Sequence, residues 1–331
     1  MPTGTPTPRV AFVLGGGGVL GATQVGMLRA LLEAGRRPSM VVGTSVGALN
    51  GAAIAADPSA HGVEVLAALW TALSDSGMFS GSLLSQAGRL ARHRTHLHSA
   101  APLRRLLGEN LPERFEDLAV PFQCVAASIE RATAHWFSTG PLADAVLASC
   151  AVPGLLPPVE IGGEHFLDGG LVHSIPVGRA LALGATEIYV LHVGRIERPL
   201  VPPKSPWDLG LVAFEIARRH RFVEEMSTLP PEVRAHVLPS GEDNAPLISL
   251  RYRSTADVAS RVERGYQATA AYLAGLPGAD AGGRPDADAG GLPGADAGGR
   301  RAAGANGRPA SGAGGRSGAD NAGRPAADEG G

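Results

Sequence analysis

The sequence predicts an α/β fold of three layers, a mainly parallel sheet flanked by helices, with a flexible tail, and three observations predict it. Short apolar runs at residues 9–14, 39–43 and 187–193 are separated by stretches of helical periodicity, the order that a parallel sheet with helical crossovers requires. The first two runs each end in a glycine-marked turn followed by a helical pattern, at Gly15 to Gly18 and at Gly43-Thr44-Ser45-Val46-Gly47. From Gly275 onward the composition collapses to Gly, Ala, Asp, Arg and Pro, with Gly-Leu-Pro-Gly-Ala-Asp-Ala-Gly-Gly-Arg at 275–284 repeated unchanged at 291–300. Such a segment has too little apolar surface to offset its ordering entropy.

The elements follow in chain order. Residues 9–14 read as a strand, and Val25, Leu28, Leu31 and Leu32 mark a helix stopped by Gly35. Residues 39–43 read as the second strand, with helices over 46–56 and 61–74. Residues 75–112 are less regular. Pro121 to Ser128 and Ala134 to Ser138 read as strands and Leu142 to Ser149 as a helix. A Pro-rich loop at 152–158 leads to a hairpin of Val159–Ile161 and His165–Leu167 around a Gly162-Gly163 turn. Beyond it lie a helix at 175–183, the strand at 187–193, and amphipathic helices at 206–226 and 254–273. The expected organisation is a flexible N-terminus at 1–8, one domain over 9–274, and a disordered tail over 275–331.

Composition narrows the function. The chain has 331 residues and a formal net charge of −2, which argues against a general nucleic-acid binder, since that needs a basic excess. Its two cysteines, Cys124 and Cys150, sit in apolar segments and read as buried thiols rather than a disulfide or zinc framework. Met1 to Pro8 carries no charged leader region, and no stretch reaches the roughly 18 apolar residues of a membrane span. A cytoplasmic protein without cofactor or metal is the expectation.

The chemistry concentrates in the glycine turns. Gly43-x-Ser45-x-Gly47 between strand and helix is the nucleophile-elbow spacing. A helix beginning after Ser45 aims free N–H groups and its positive dipole end at an oxyanion. Serine needs a base, and Asp168, before Gly169 and Gly170, is the candidate. Gly16, Gly17 and Gly18 are candidate oxyanion donors, because a backbone without Cβ lets a substrate carbonyl approach closely.

These motifs together resemble the bacterial patatin-like phospholipases. The resemblance rests on Gly16-Gly17-Gly18-Val19-Leu20-Gly21, the elbow, Asp168-Gly169-Gly170, and Ala-Ser-Cys-Ala-Val-Pro-Gly at 148–154. It covers residues 9–193 and extends toward 273. It implies a Ser45–Asp168 dyad without histidine, acyl-lipid or phospholipid substrates and a place in lipid metabolism. The family carries Arg or Lys in the glycine loop where this chain has Leu20, and Asn where it has Ser174. Leucine cannot hold a phosphate, so neutral or lysolipid acyl esters are the expected substrates, with weaker use of diacyl phospholipids.

Rival readings exist. Gly16-x-Gly18-x-x-Gly21 also fits a dinucleotide fingerprint, but the acidic residue expected at the second strand's end is replaced by Gly43-Thr44-Ser45. An α/β-hydrolase triad would take its histidine from His192 or His236. A catalytically weak lipid-binding scaffold is a third reading, supported by Leu20. Finally, Arg89, Arg92, Arg94, Arg104 and Arg105 interleave with leucines, a pattern of either peripheral contact with anionic membrane or solvated helices over the core.

Overall fold

The computed structural model describes residues 8–75, 98–193, 199–203, 206–241 and 257–276. Within them lie strands β1 (Val10–Leu14), β2 (Met40–Thr44), β3 (Phe122–Ser128), β4 (Thr133–Phe137), β5 (Val159–Ile161), β6 (Glu164–Asp168), β7 (Glu187–Leu191) and β8 (Arg234–Val237). The helices are α1 (Ala22–Glu33), α2 (Val46–Ala56), α3 (Ala60–Asp75), α4 (Ala101–Asn110), α5 (Leu142–Ser149), α6 (Val177–Ala182), α7 (Pro206–Ser227) and α8 (Asp257–Ala274). The expected elements recur within a few residues. β8, unanticipated, is half-buried and carries Arg234 and His236, which break the apolar signature of a strand.

The strands form one mixed sheet in the order β5-β6-β3-β2-β1-β7-β8, with β4 also paired to β3. The run from β3 to β8 is parallel, and β4, β5 and β6 are antiparallel. Alternation along the strands feeds two cores. Phe12, Leu14, Val41, Tyr189 and Leu191 pack with α1, α2, α3 and α5 on one face, while Ala11, Val13, Val42, Ile188 and Val190 pack with α6 and Phe222 of α7 on the other. Strands buried on both faces read as continuous apolar runs for this reason.

The junction that matters lies along β3. Cys124 and Val125 pair with both β2 and β4, and Ala126 to Ser128 pair with both β4 and β6. β2 and β6 therefore occupy the same edge of β3, end to end. β2 ends with Thr44 opposite Val125, and β6 ends with Asp168 opposite Ala126.

α8 belongs to the same packing unit. A Cβ on Gly26 of α1 would stand 1.9 Å from the Val262 carbonyl oxygen, and one on Gly265 would stand 2.4 Å from that of Thr23. The two helices touch backbone to backbone. Tyr266 Oη donates to Glu33 at 2.6 Å, and Arg29 stacks over the Tyr266 ring at 4.2 Å.

No helix among the described residues is long and apolar enough to cross a membrane. Arg89, Arg92 and Arg94 lie outside the described residues, as do most of residues 1–8 and, apart from Gly275 and Leu276, the expected disordered tail. Arg104 forms an ion pair with Asp144, and Arg105 is exposed.

Candidate active site

Ser45 occupies the turn between β2 and α2 with φ 55° and ψ −127°, a conformation that non-glycine residues avoid at a cost of about 1–3 kcal/mol. Gly43 and Gly47 make the turn possible. A Cβ on Gly43 would fall 2.4 Å from the Gly47 carbonyl oxygen, and one on Gly47 would fall 2.2 Å from that of Leu14. Ser149 completes the turn from α5: Ser45 N donates to Ser149 Oγ at 2.9 Å, and that hydroxyl donates to the Val125 carbonyl at 2.6 Å. Thr44 Oγ1 donates to the His173 carbonyl at 2.7 Å.

The end-to-end meeting of β2 and β6 brings Ser45 Oγ within 2.5 Å of Asp168 Oδ2, to which it donates. Asp168 Oδ1 accepts from Gly170 N at 2.7 Å, so both carboxylate oxygens are held. Gly169 lies against β3, where a Cβ would stand 2.1 Å from the Val125 carbonyl oxygen. Burial raises the Asp168 carboxyl to about 6, against the opposing pull of the Ser45 and Gly170 hydrogen bonds.

The glycine loop lies over Ser45. A Cβ on Gly16 would come 3.3 Å from Ser45 Cβ. One expectation needs correction here: Gly16 N donates to the Ser174 carbonyl at 2.9 Å, so that N–H is already taken and Gly16 serves as a close-packing residue. Gly17 and Gly18 make no such backbone bond to the described residues. Gly21 ends the loop beside Val46 and Trp70.

A polar network that the sequence reading missed fixes this loop. Gln24 Nε2 donates to the Gly15 and Leu191 carbonyls, both at 2.8 Å. Asn50 Nδ2 donates to Gln24 Oε1 at 2.8 Å and to the Gly21 carbonyl at 3.0 Å, and Trp70 Nε1 donates to Asn50 Oδ1 at 2.8 Å. Gln24 and Asn50 are fully buried. Their signal in the sequence is a lone amide among small and apolar neighbours, within Ala22–Leu28 of α1 and within α2, which matters because buried polar groups need partners.

The remaining candidates sit elsewhere. His236 stacks on Tyr189 with ring centroids 4.8 Å apart, and its Nδ1 lies 3.2 Å from Tyr272 Oη. His192 is buried at the end of β7, where burial and the charge of Arg218 lower it to about 3. No imidazole stands between Ser45 and Asp168, which bond directly. Leu20, expected to bear on substrate choice, is only 2% exposed. Cys124 and Cys150 are free and buried, and burial pushes both thiols well above their usual range.

The patatin-like phospholipase family model matches residues 12–181, just over half the chain and the part that holds the glycine loop, elbow and Asp168. This chain belongs to the patatin-like phospholipase family. It is 35% identical over 195 residues to a patatin-like phospholipase domain-containing protein of Caenorhabditis elegans, covering 57% of this chain and 14% of that one. It is 30% identical over 191 residues to an uncharacterized NTE family protein of Mycobacterium bovis, with 55% and 48% covered. A lysophospholipase of Aspergillus terreus is 32% identical over 189 residues, with 57% and 12% covered. This patatin-like chain thus spans under half the length of each of these relatives.

Proposed function

We propose that the protein is a serine lipid acyl hydrolase that cleaves carboxylic esters through an acyl-Ser45 intermediate, with Asp168 as the base. The observation that carries this reading is the 2.5 Å hydrogen bond from Ser45 Oγ to Asp168 Oδ2 at a strained elbow. The Asp168 carboxylate takes the hydroxyl proton as Ser45 Oγ attacks the ester carbonyl. The oxyanion is received by the N–H of Val46 at the start of α2 and by those of Gly17 and Gly18. Collapse expels the alcohol, which takes the proton from Asp168. Water then attacks the acyl-serine, giving its proton to Asp168, and the fatty acid is released as the departing Ser45 Oγ takes that proton back from Asp168.

The name of the Aspergillus relative, a lysophospholipase, supports single-chain acyl lipids as substrates. Peripheral contact with lipid is part of the proposal. It draws on exposed Arg105 and on Leu171, which is exposed in the turn that follows Asp168. Hydrolysis of p-nitrophenyl butyrate by the full chain, covalent labelling of Ser45 by a fluorophosphonate, and loss of both in Ser45→Ala are the expected results. Full hydrolysis by Ser45→Ala refutes the reading.

A further inference from the structure

The backbone amides of Ser45 and Asp168 both end on one short stretch at the end of α5. Ser45 N donates to Ser149 Oγ at 2.9 Å, and Asp168 N donates to the Ala151 carbonyl at 2.9 Å. Ser149 is the last residue of α5, and Ala151 lies two residues on. Both are fully buried. The Ser149 hydroxyl has a single proton, which it gives to the Val125 carbonyl at 2.6 Å, so toward Ser45 N it acts only as acceptor. The same Val125 oxygen stands 2.1 Å from where a Cβ on Gly169 would be. One side chain thus ties the elbow to the point of β3 on which the residue after Asp168 packs.

The elbow needs such a hold. Ser45, at φ 55° and ψ −127°, has a backbone conformation that persists only where its surroundings over-determine it. Relaxing it turns the Ser45 N–H away from Ser149. Both residues are buried, and a buried N–H left without an acceptor is destabilising, so this bond opposes the relaxation. Holding the backbone also holds the side chain, because Ser45 Oγ leaves that backbone in the direction that reaches Asp168 Oδ2 at 2.5 Å. On the other side of the contact, the Ala151 carbonyl fixes the Asp168 backbone and Gly170 N holds its Oδ1 at 2.7 Å. Cys150, between the two holding residues, brings no charge to the pair. Burial, with the charges of Asp168 and Cys124, keeps its thiol protonated.

We propose that Ser149 is a positioning residue for ester hydrolysis: together with the Ala151 carbonyl it clamps the amides of Ser45 and Asp168 to the end of α5 and so keeps the Ser45 hydroxyl on the Asp168 carboxylate. The catalytic consequence rests on the hydrolase reading, whereas the clamp itself does not. Strand register brings Ser45 and Asp168 to the same place, and Ser149 keeps the elbow from relaxing out of it. The Ser45 N–H, spent on Ser149, is not an oxyanion donor.

Two readouts on the full chain test the proposal. The first is p-nitrophenyl butyrate hydrolysis by Ser149→Ala, where kcat falls on the order of 30-fold while KM changes by less than about three-fold. Ser149→Thr, which keeps the hydroxyl, recovers most of the loss. The second needs no turnover: the Asp168 carboxyl is titrated by carbon-13 NMR, its signal assigned by its absence from Asp168→Asn. The Ser45 hydrogen bond pulls that carboxyl down against burial, so Ser45→Ala marks the midpoint of a carboxyl that has lost the bond. In Ser149→Ala the midpoint moves upward toward that mark, and in Ser149→Thr it returns. Ser149→Cys, with a weaker donor and acceptor of similar size, gives both readouts should Ser149→Ala not fold. A lower Tm with wild-type kcat and an unmoved midpoint overturns the proposal and leaves Ser149 a packing residue. A fall in kcat with an unmoved midpoint overturns it too, because the loss then arises away from the Ser45–Asp168 contact. A wild type that hydrolyses no ester, while its Asp168 midpoint still follows Ser149, overturns the hydrolase reading and leaves the clamp standing.

Discussion

Ser45 Oγ donates to Asp168 Oδ2 across 2.5 Å, and the two residues meet because β2 and β6 share one edge of β3. Residues 123 positions apart are brought together by strand register: Thr44 lies opposite Val125 and Asp168 opposite Ala126. The meeting of Ser45 and Asp168 is thus set by backbone pairing.

In the proposed mechanism Asp168 serves as base only when ionised, and burial raises it to about 6. The kcat/KM for p-nitrophenyl butyrate should therefore rise through about pH 6 and level off above it. His192, at about 3, adds no step above pH 5. A pH–rate profile that is flat between pH 5 and 7 contradicts this assignment.

Stability should move the other way. The folded-state value for Asp168, about 6, lies above the ordinary 3.8. Its contribution is therefore fully favourable below about pH 4 and is lost as pH rises through 6. At pH 7 the ionised form costs on the order of 3 kcal/mol. Asp168→Asn should be more stable than wild type at pH 7, and the difference should vanish near pH 4. Urea unfolding at the two pH values checks this.

At the elbow, Gly43→Ala and Gly47→Ala place a Cβ within 2.4 and 2.2 Å of backbone oxygens. Backbone cannot move aside as a side chain can, so each should cost about 3 kcal/mol or more, or prevent folding. Equal urea midpoints for Gly47→Ala and wild type contradict the tight turn.

Gln24→Leu should act on loop and fold together. It strips donors from the Gly15 and Leu191 carbonyls and an acceptor from Asn50, at about 1–3 kcal/mol for each buried group left unpaired. Lower Tm and a lower kcat are expected, whereas a variant of unchanged kcat shows that the loop holds its place without the network.

The backbone contact of α8 with α1 at Gly26 and Gly265 leads us to propose a domain that extends through α8. Truncation after Leu276 should leave esterase activity and Tm near those of the full chain. Truncation before Asp257 removes the surface that Gly26 and Gly265 bring into backbone contact and should give an insoluble or unfolded protein. A soluble, active product of the shorter truncation contradicts a domain that reaches Ala274.

Much of this was legible in the sequence because its signals are local. The strand at Met40–Thr44, the elbow glycines and the helix after Ser45 sit within a dozen residues, and their spacing alone carries the turn. Asp168 was legible only beside Gly169 and Gly170. Its distance to Ser45 depends on β3, whose residues betray nothing of the junction they organise. Ser149, Gln24 and Asn50 were obscured because single polar residues in apolar helices look like noise until their partners, up to 167 positions away, are in place. The engagement of Gly16 by Ser174 was hidden for the same reason.

The dyad itself is tested most directly by a double-mutant cycle on p-nitrophenyl butyrate hydrolysis, with circular dichroism confirming that each variant is folded. Ser45→Ala and Asp168→Asn should each lower kcat by on the order of 1,000-fold or more, and the double variant should be hardly slower than either single, because nucleophile and base act as one unit. An Asp168→Asn enzyme that keeps most of its activity while Ser45→Ala loses it would place the base elsewhere and contradict the account.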